Sequence, residues 1–150
     1  MYLPAQRAAY FFRIALPPGE PIAHLEAEAA VVGDAVFGPL LLAEGVSREV
    51  AFVDGNVALS WVTRGCSNCD AGVDKLLAGM WANLACRGGF KWWERVSSGS
   101  NLADRPSKGL VPECPRGWHM WEMVSVQQWD PDRDGVGPPR PVPAVREVPG

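Results

Sequence analysis

Apolar and polar positions change period along the chain, and the period sets the element that each stretch predicts. From Arg7 to Leu16 the run Ala9, Tyr10, Phe11, Phe12 and Ile14 is β-prone and is stopped by Pro17-Pro18-Gly19, which predicts a strand and a turn. After Pro21, Leu25, Ala29, Val32, Val36 and Leu40 recur at helical spacing. A helix is predicted from His24 to Phe37, resuming after Pro39 as far as Ala43, because Gly33, Gly38 and Pro39 weaken the distal part. Glu49 to Val53 is a short apolar strand ending in Asp54-Gly55-Asn56, and helical spacing returns at Val57, Trp61 and Val62. Asp70 to Ala85 is the clearest helix: Val73, Leu76, Leu77, Met80, Trp81 and Leu84 form one stripe, Asp70 is its cap and Gly88-Gly89 its terminator. Phe90 to Val96 is rich in aromatic and β-branched residues and reads as a strand; the serine-rich Ser97 to Ser100 is a loop. Asn101 is the expected N-cap of a last short helix that Pro106 limits.

After Leu110 the pattern fades. Eight of the 14 prolines lie beyond it, and Pro131 to Gly150 lacks a periodic apolar signal, so residues 131–150 are expected to be disordered. Between these regions Trp118, Trp121, Met123, Val124, Val126 and Trp129 are too apolar to leave in water. Residues 111–130 should therefore pack on the domain formed by residues 1–110, or on a partner. At 150 residues and 47% hydrophobic the chain can build one ordinary core. No run of about 18 apolar residues spans a membrane and no secretion signal opens the chain, so a soluble intracellular protein is expected.

Net charge is −3, which argues against a surface that grips phosphates everywhere. Between Arg87 and Arg116, however, six basic residues face three acids, so this stretch is locally positive. Cys66 and Cys69 form the one C-x-x-C; Cys86 and Cys114 are far apart, so the paired spacing of a zinc site is not met. Reduced thiols are expected.

The candidate chemistry is carboxylate. Asp54 ends a strand and opens a helix, which is where open α/β sheets place ligand-binding residues, although an N-cap role accounts for it equally well. Asp104 falls in a first helical turn, where the helix dipole favours acids for structural reasons alone. Glu26 is expected in the first turn of its helix, and Glu28, two residues on, points about 200° away, so the two do not share a face.

The run RVSSGSNLADRPSKG, Arg95 to Gly109, resembles the end of the ribonuclease H domain attached to reverse transcriptases of retroelements. That family's pattern there is a tryptophan-bearing strand, a valine, a serine turn, Asn-x-Ala-Asp and a Pro-Ser-basic tail. LEAEAA, Leu25 to Ala30, is similar to its first-helix Leu-Glu-x-x-Ala, and FVDGN to its second strand-to-helix turn. The resemblance covers about residues 8–109. It implies an α/β fold with a mixed sheet flanked by helices, and a site in which Glu26, Asp54 and Asp104 hold Mg²⁺ or Mn²⁺. It implies two-metal hydrolysis of the RNA strand of an RNA–DNA hybrid beside a reverse transcriptase domain, with Arg105 and Lys108 as candidate phosphate contacts.

Hard cations of this kind want carboxylate oxygens, so acids converging from distant parts of the chain are what such a site requires. One departure stands out. The family opens with a central strand bearing a further aspartate, and Met1 to Ala9 contains no Asp or Glu. The domain is therefore expected to be incomplete at its N-terminus, lacking that strand and one metal ligand. The family's loop histidine is also absent, and neither His24 nor His119 takes its place. The alternative expectation is a catalytically dead remnant that binds nucleic acid or a protein, for which the Trp118 to Trp129 segment is the candidate surface.

Overall fold

The computed structural model describes residues 1–13, 19–124 and 144–149. They form a mixed α/β structure: β1 (Tyr2–Leu3), β2 (Ala8–Phe11), α1 (Ile22–Ala43), β3 (Arg48–Val53), α2 (Asn56–Arg64), α3 (Ala71–Cys86), β4 (Phe90–Arg95), α4 (Asp104–Ser107), β5 (His119–Met123) and β6 (Val145–Val148). The strands fall into two sheets instead of the single mixed sheet expected. One has the order β1-β2-β5-β6, with β2 and β5 parallel and the outer pairs antiparallel; the other is the parallel pair β3-β4. The split follows from pairing: the second edge of β2 is taken by β5, and β3 pairs only with β4.

Helix α1 joins the two sheets. Ala27 and Val31 pack with Val53, Trp61, Val62, Leu77 and Met80, while Val32 and Val36 pack with Met123 beside Tyr10 and Phe12. Neighbouring positions thus face two cores, so the helix is buried on two sides. This explains why it continues through Pro39, where a break had been expected. The proline removes one backbone hydrogen bond, and burial of Val36, Leu40 and Leu41 around it offsets the loss. The helix also starts earlier than expected, at Ile22, so Glu26 lies beyond its first turn. Ala29 is exposed; the predicted stripe holds only distally, at Val32, Val36 and Leu40.

The core stripe runs Ala27, Val31, Asp34, Gly38 and Leu41, and Asp34 is its surprise. Its carboxylate accepts from both terminal nitrogens of Arg87, at 3.0 and 2.8 Å, and from Lys91 Nζ at 2.5 Å. Glu49 completes the group, 2.6 Å from Arg87 and 3.0 Å from Lys91. One turn on, Gly38 leaves room for the guanidinium, since a Cβ there would lie 3.0 Å from Arg87 Nη1. Two anions and two cations thereby tie α1, the end of α3, β3 and β4 together. Burial alone would push the Asp34 carboxyl up; the Arg87 hydrogen bond and the Lys91 and Arg87 charges outweigh it and hold the group below its ordinary 3.8. The network also revises the basic strip read from sequence, because Arg87 and Lys91 are internal and neutralised.

Helix α3 matches its pattern. Asp70 caps it, accepting from the Val73 amide at 2.9 Å, and Leu77, Met80 and Leu84 are buried. The first strand is shorter than expected, ending at Phe11, and β1 was not foreseen; the expected end of that strand, from Ile14, lies outside the described residues. At the other end, β5 enters the first sheet beside β2, where Trp121 stacks on Tyr10 with centroids 6.5 Å apart, and Trp118 meets Tyr2 edge-on at 6.1 Å. Residues 145–148, within the stretch expected to be disordered, pair with β5 as β6. Residues 131–143 of that tail, and residues 125–130 of the segment before it, lie outside the described residues. No helix among the described residues is long and apolar enough to cross a membrane.

Candidate functional site

Strand β3 ends at Val53, and the chain turns through Asp54 and Gly55 into α2. The helix cap is Gly55, with no side-chain cap bond, so Asp54 is not spent on capping. Its half-buried carboxylate stands at the carboxyl end of a parallel strand. Glu26, from the second turn of α1, reaches the same turn. A Cβ placed on Gly55 would lie 1.8 Å from Glu26 Oε2 and 2.6 Å from Cδ, so only glycine admits this carboxylate. The backbone at Gly55 is extended, φ −84° and ψ 123°, which any residue adopts; the requirement is for space and not for conformation.

Burial, and then the charge of Asp54, raises the Glu26 carboxyl above its ordinary 4.5. Two acids 28 residues apart in sequence therefore share one spot and repel. Substituting Asp54→Asn removes the second of these causes, and the Glu26 carboxyl, followed by carbon NMR through a pH titration, is expected to titrate lower than in the parent while staying above 4.5. A titration unchanged by the substitution would mean that the two carboxylates do not interact. Glu28, which the helix turns away, is raised by burial and by Glu20 instead.

Asp104 has a different setting. It is the first residue of α4, capped by Ala103 without a side-chain bond, and Asn101 is not the cap: its Oδ1 accepts from the Ala103 amide at 3.0 Å. The Asp104 carboxylate pairs with Lys108 Nζ at 2.7 Å one turn along. The loop leading to it starts beside the site, since the Val96 amide donates to the Val53 carbonyl at 2.9 Å. Arg105 is held by Glu113 at 3.1 Å and donates through Nε to the Val111 carbonyl. Both cation pairs are exposed, so each contributes little to stability and is open to exchange with a phosphate.

Among the described residues no group of three or more His, Cys, Asp and Glu stands ready to hold a metal ion. The Glu26–Asp54 pair nevertheless fits Mg²⁺ chemically, because that ion is commonly held by one or two carboxylates while keeping its waters and taking substrate phosphates. The buried network of Asp34, Glu49, Arg87 and Lys91 escaped the sequence reading, which counted Arg87 and Lys91 as surface charge. The stripe read from the sequence passes through Val32 and Val36 and not through Asp34, so nothing local marked this aspartate as internal. Comparison of the chain with protein-family models, with curated proteins and with solved structures found no match.

Proposed function

We propose that the chain is a ribonuclease H-like domain of a retroelement polyprotein, acting on the RNA strand of an RNA–DNA hybrid beside a reverse transcriptase domain. The observation that carries this reading is the Glu26–Asp54 pair, drawn from α1 and the end of β3 onto a turn that only glycine leaves open. The ribonuclease H-like sequence motifs fall at both carboxylates and at Asp104, and the parallel β3-β4 pair with two crossover helices supports the same fold. Glu26 and Asp54 are the proposed ligands of Mg²⁺ or Mn²⁺. A cation held there would supply an activated water and neutralise charge on the leaving oxygen. Asp104 would join the site only on releasing Lys108, and Lys108 and Arg105 would then face the hybrid backbone, whose shape and 2′-hydroxyls would be read in place of sequence.

The test is incubation of the purified chain with an end-labelled RNA–DNA hybrid and Mg²⁺ or Mn²⁺. The RNA strand should be cut, the DNA strand spared, and chelation should stop the reaction. A second reading, a catalytically dead remnant that binds nucleic acid or protein, is favoured by one observation: the Asp104 carboxylate is occupied by Lys108, so two acids converge and not three. A folded chain that retains the hybrid on a gel without cutting it would replace the first reading with the second.

A further inference from the structure

Parallel strands in globular proteins are covered on both faces, so a two-stranded parallel sheet with one face left bare among the described residues calls for a cover. The inner face of β3-β4, carrying Glu49, Val53, Lys91 and Trp93, packs on the helices. The outer face carries Arg48, Val50 and Phe52 on one strand and Phe90, Trp92 and Glu94 on the other. All six are exposed, with Val50 at 62%, Phe52 at 60%, Phe90 at 58% and Trp92 at 56%. Four large apolar side chains in one contiguous block are what a docking surface presents.

The register says what fits it. Arg48 lies beside Phe90, Val50 beside Trp92 and Phe52 beside Glu94. The block therefore has a cation at one corner and an anion at the opposite corner, with apolar residues between them. Arg48 forms no ion pair among the described residues, and Glu94 is steadied by Trp92 Nε1 at 3.3 Å and by the Arg95 amide at 3.1 Å. A patch of this design is complementary to itself. A two-fold axis in the plane of the face, perpendicular to the Arg48–Glu94 diagonal and passing between Val50 and Trp92, sets Arg48 of each copy over the partner's Glu94. It brings the two Trp92 rings together and the two Val50 side chains together, and leaves Phe52 and Phe90 at the flanks. With strands about 4.8 Å apart and about 3.3 Å of rise per residue, the two pairs cross at about 40°. We infer that the outer face of β3-β4 is the interface of a symmetric homodimer of this chain, closed by two reciprocal Arg48–Glu94 ion pairs around a Trp92 centre. The geometry is isologous, so it closes at two copies.

Sedimentation equilibrium on the full chain, from low to high micromolar concentration, is the test. The parent should approach twice the 16.2 kDa chain mass. Arg48→Glu and Glu94→Arg should each weaken association at least about tenfold, because each places like charges in contact twice. Both positions are exposed, so circular dichroism should show both variants folded. Mixing the two variants should restore a dimer, since every contact in the mixed pair is again between opposite charges. A parent that stays monomeric throughout would overturn the inference. So would a dimer indifferent to both reversals, or variants that fail to recover on mixing, which would assign the face to another occupant.

Discussion

Replacing Asp34 with asparagine is expected to lower stability by about 3–5 kcal/mol, the usual consequence of removing one partner from a buried ion pair. The side chain is almost wholly inaccessible, and the substitution leaves Arg87 and Lys91 sharing the single charge of Glu49. Domains of this size are stable by only about 5–15 kcal/mol, so the urea midpoint should fall by a large fraction. Lys108→Ala, which breaks the exposed pair with Asp104, should change stability by about 1 kcal/mol or less. The pH dependence has a definite sign. Because the folded Asp34 carboxyl titrates below its ordinary 3.8, its contribution is complete above that value and is lost as pH falls through the folded value. The parent should therefore lose stability on acidification below about pH 4, and Asp34→Asn should show a shallower loss over the same window. Equal slopes in the two proteins would mean that the network does not hold the carboxylate as described.

Asp54→Asn should reduce hybrid cleavage at least about a hundredfold, since changes even one shell outside metal ligands typically cost about 10–100-fold. Loss of activity alone does not separate chemistry from folding, and Gly55→Ala does. The added methyl enters the space that Glu26 now fills, yet the atom it meets is the far end of a flexible side chain and the backbone is already extended. Stability should change by about 1 kcal/mol or less, while the Glu26 carboxylate is forced away from Asp54. Cleavage should fall about as far as in Asp54→Asn. If Gly55→Ala cuts the hybrid like the parent, the close approach of Glu26 is irrelevant to activity; if it unfolds, the turn tolerates less movement than its geometry implies.

Strand β3, helix α3 with its Asp70 cap and strand β4 were legible because each depends on local pattern: a cap, a stripe of one period, a glycine stop. The approach of Glu26 to the Asp54 turn has no local signal, since nothing in either stretch says that residues 26 and 54 meet. Three features were hidden for physical reasons. Helix α1 survives Pro39 because two cores bury it, and burial by partners distant in sequence is not a local property. The pairing of β5 with β2 joins residues more than a hundred positions apart, so Trp121 could be read as needing cover without disclosing that Tyr10 supplies it. Counting Arg87 and Lys91 as surface charge failed because Asp34 and Glu49 draw them inside.

The central claim is that Glu26 and Asp54 together hold a divalent cation, and titration with Mn²⁺ under carboxyl-detected NMR tests it most directly. The paramagnetic ion should broaden the Glu26 and Asp54 side-chain signals first, ahead of those of exposed acids such as Glu113. Gly55→Ala should abolish that preference, and Mg²⁺ should compete it away. Uniform broadening across the acids, or broadening that begins elsewhere, would contradict the account.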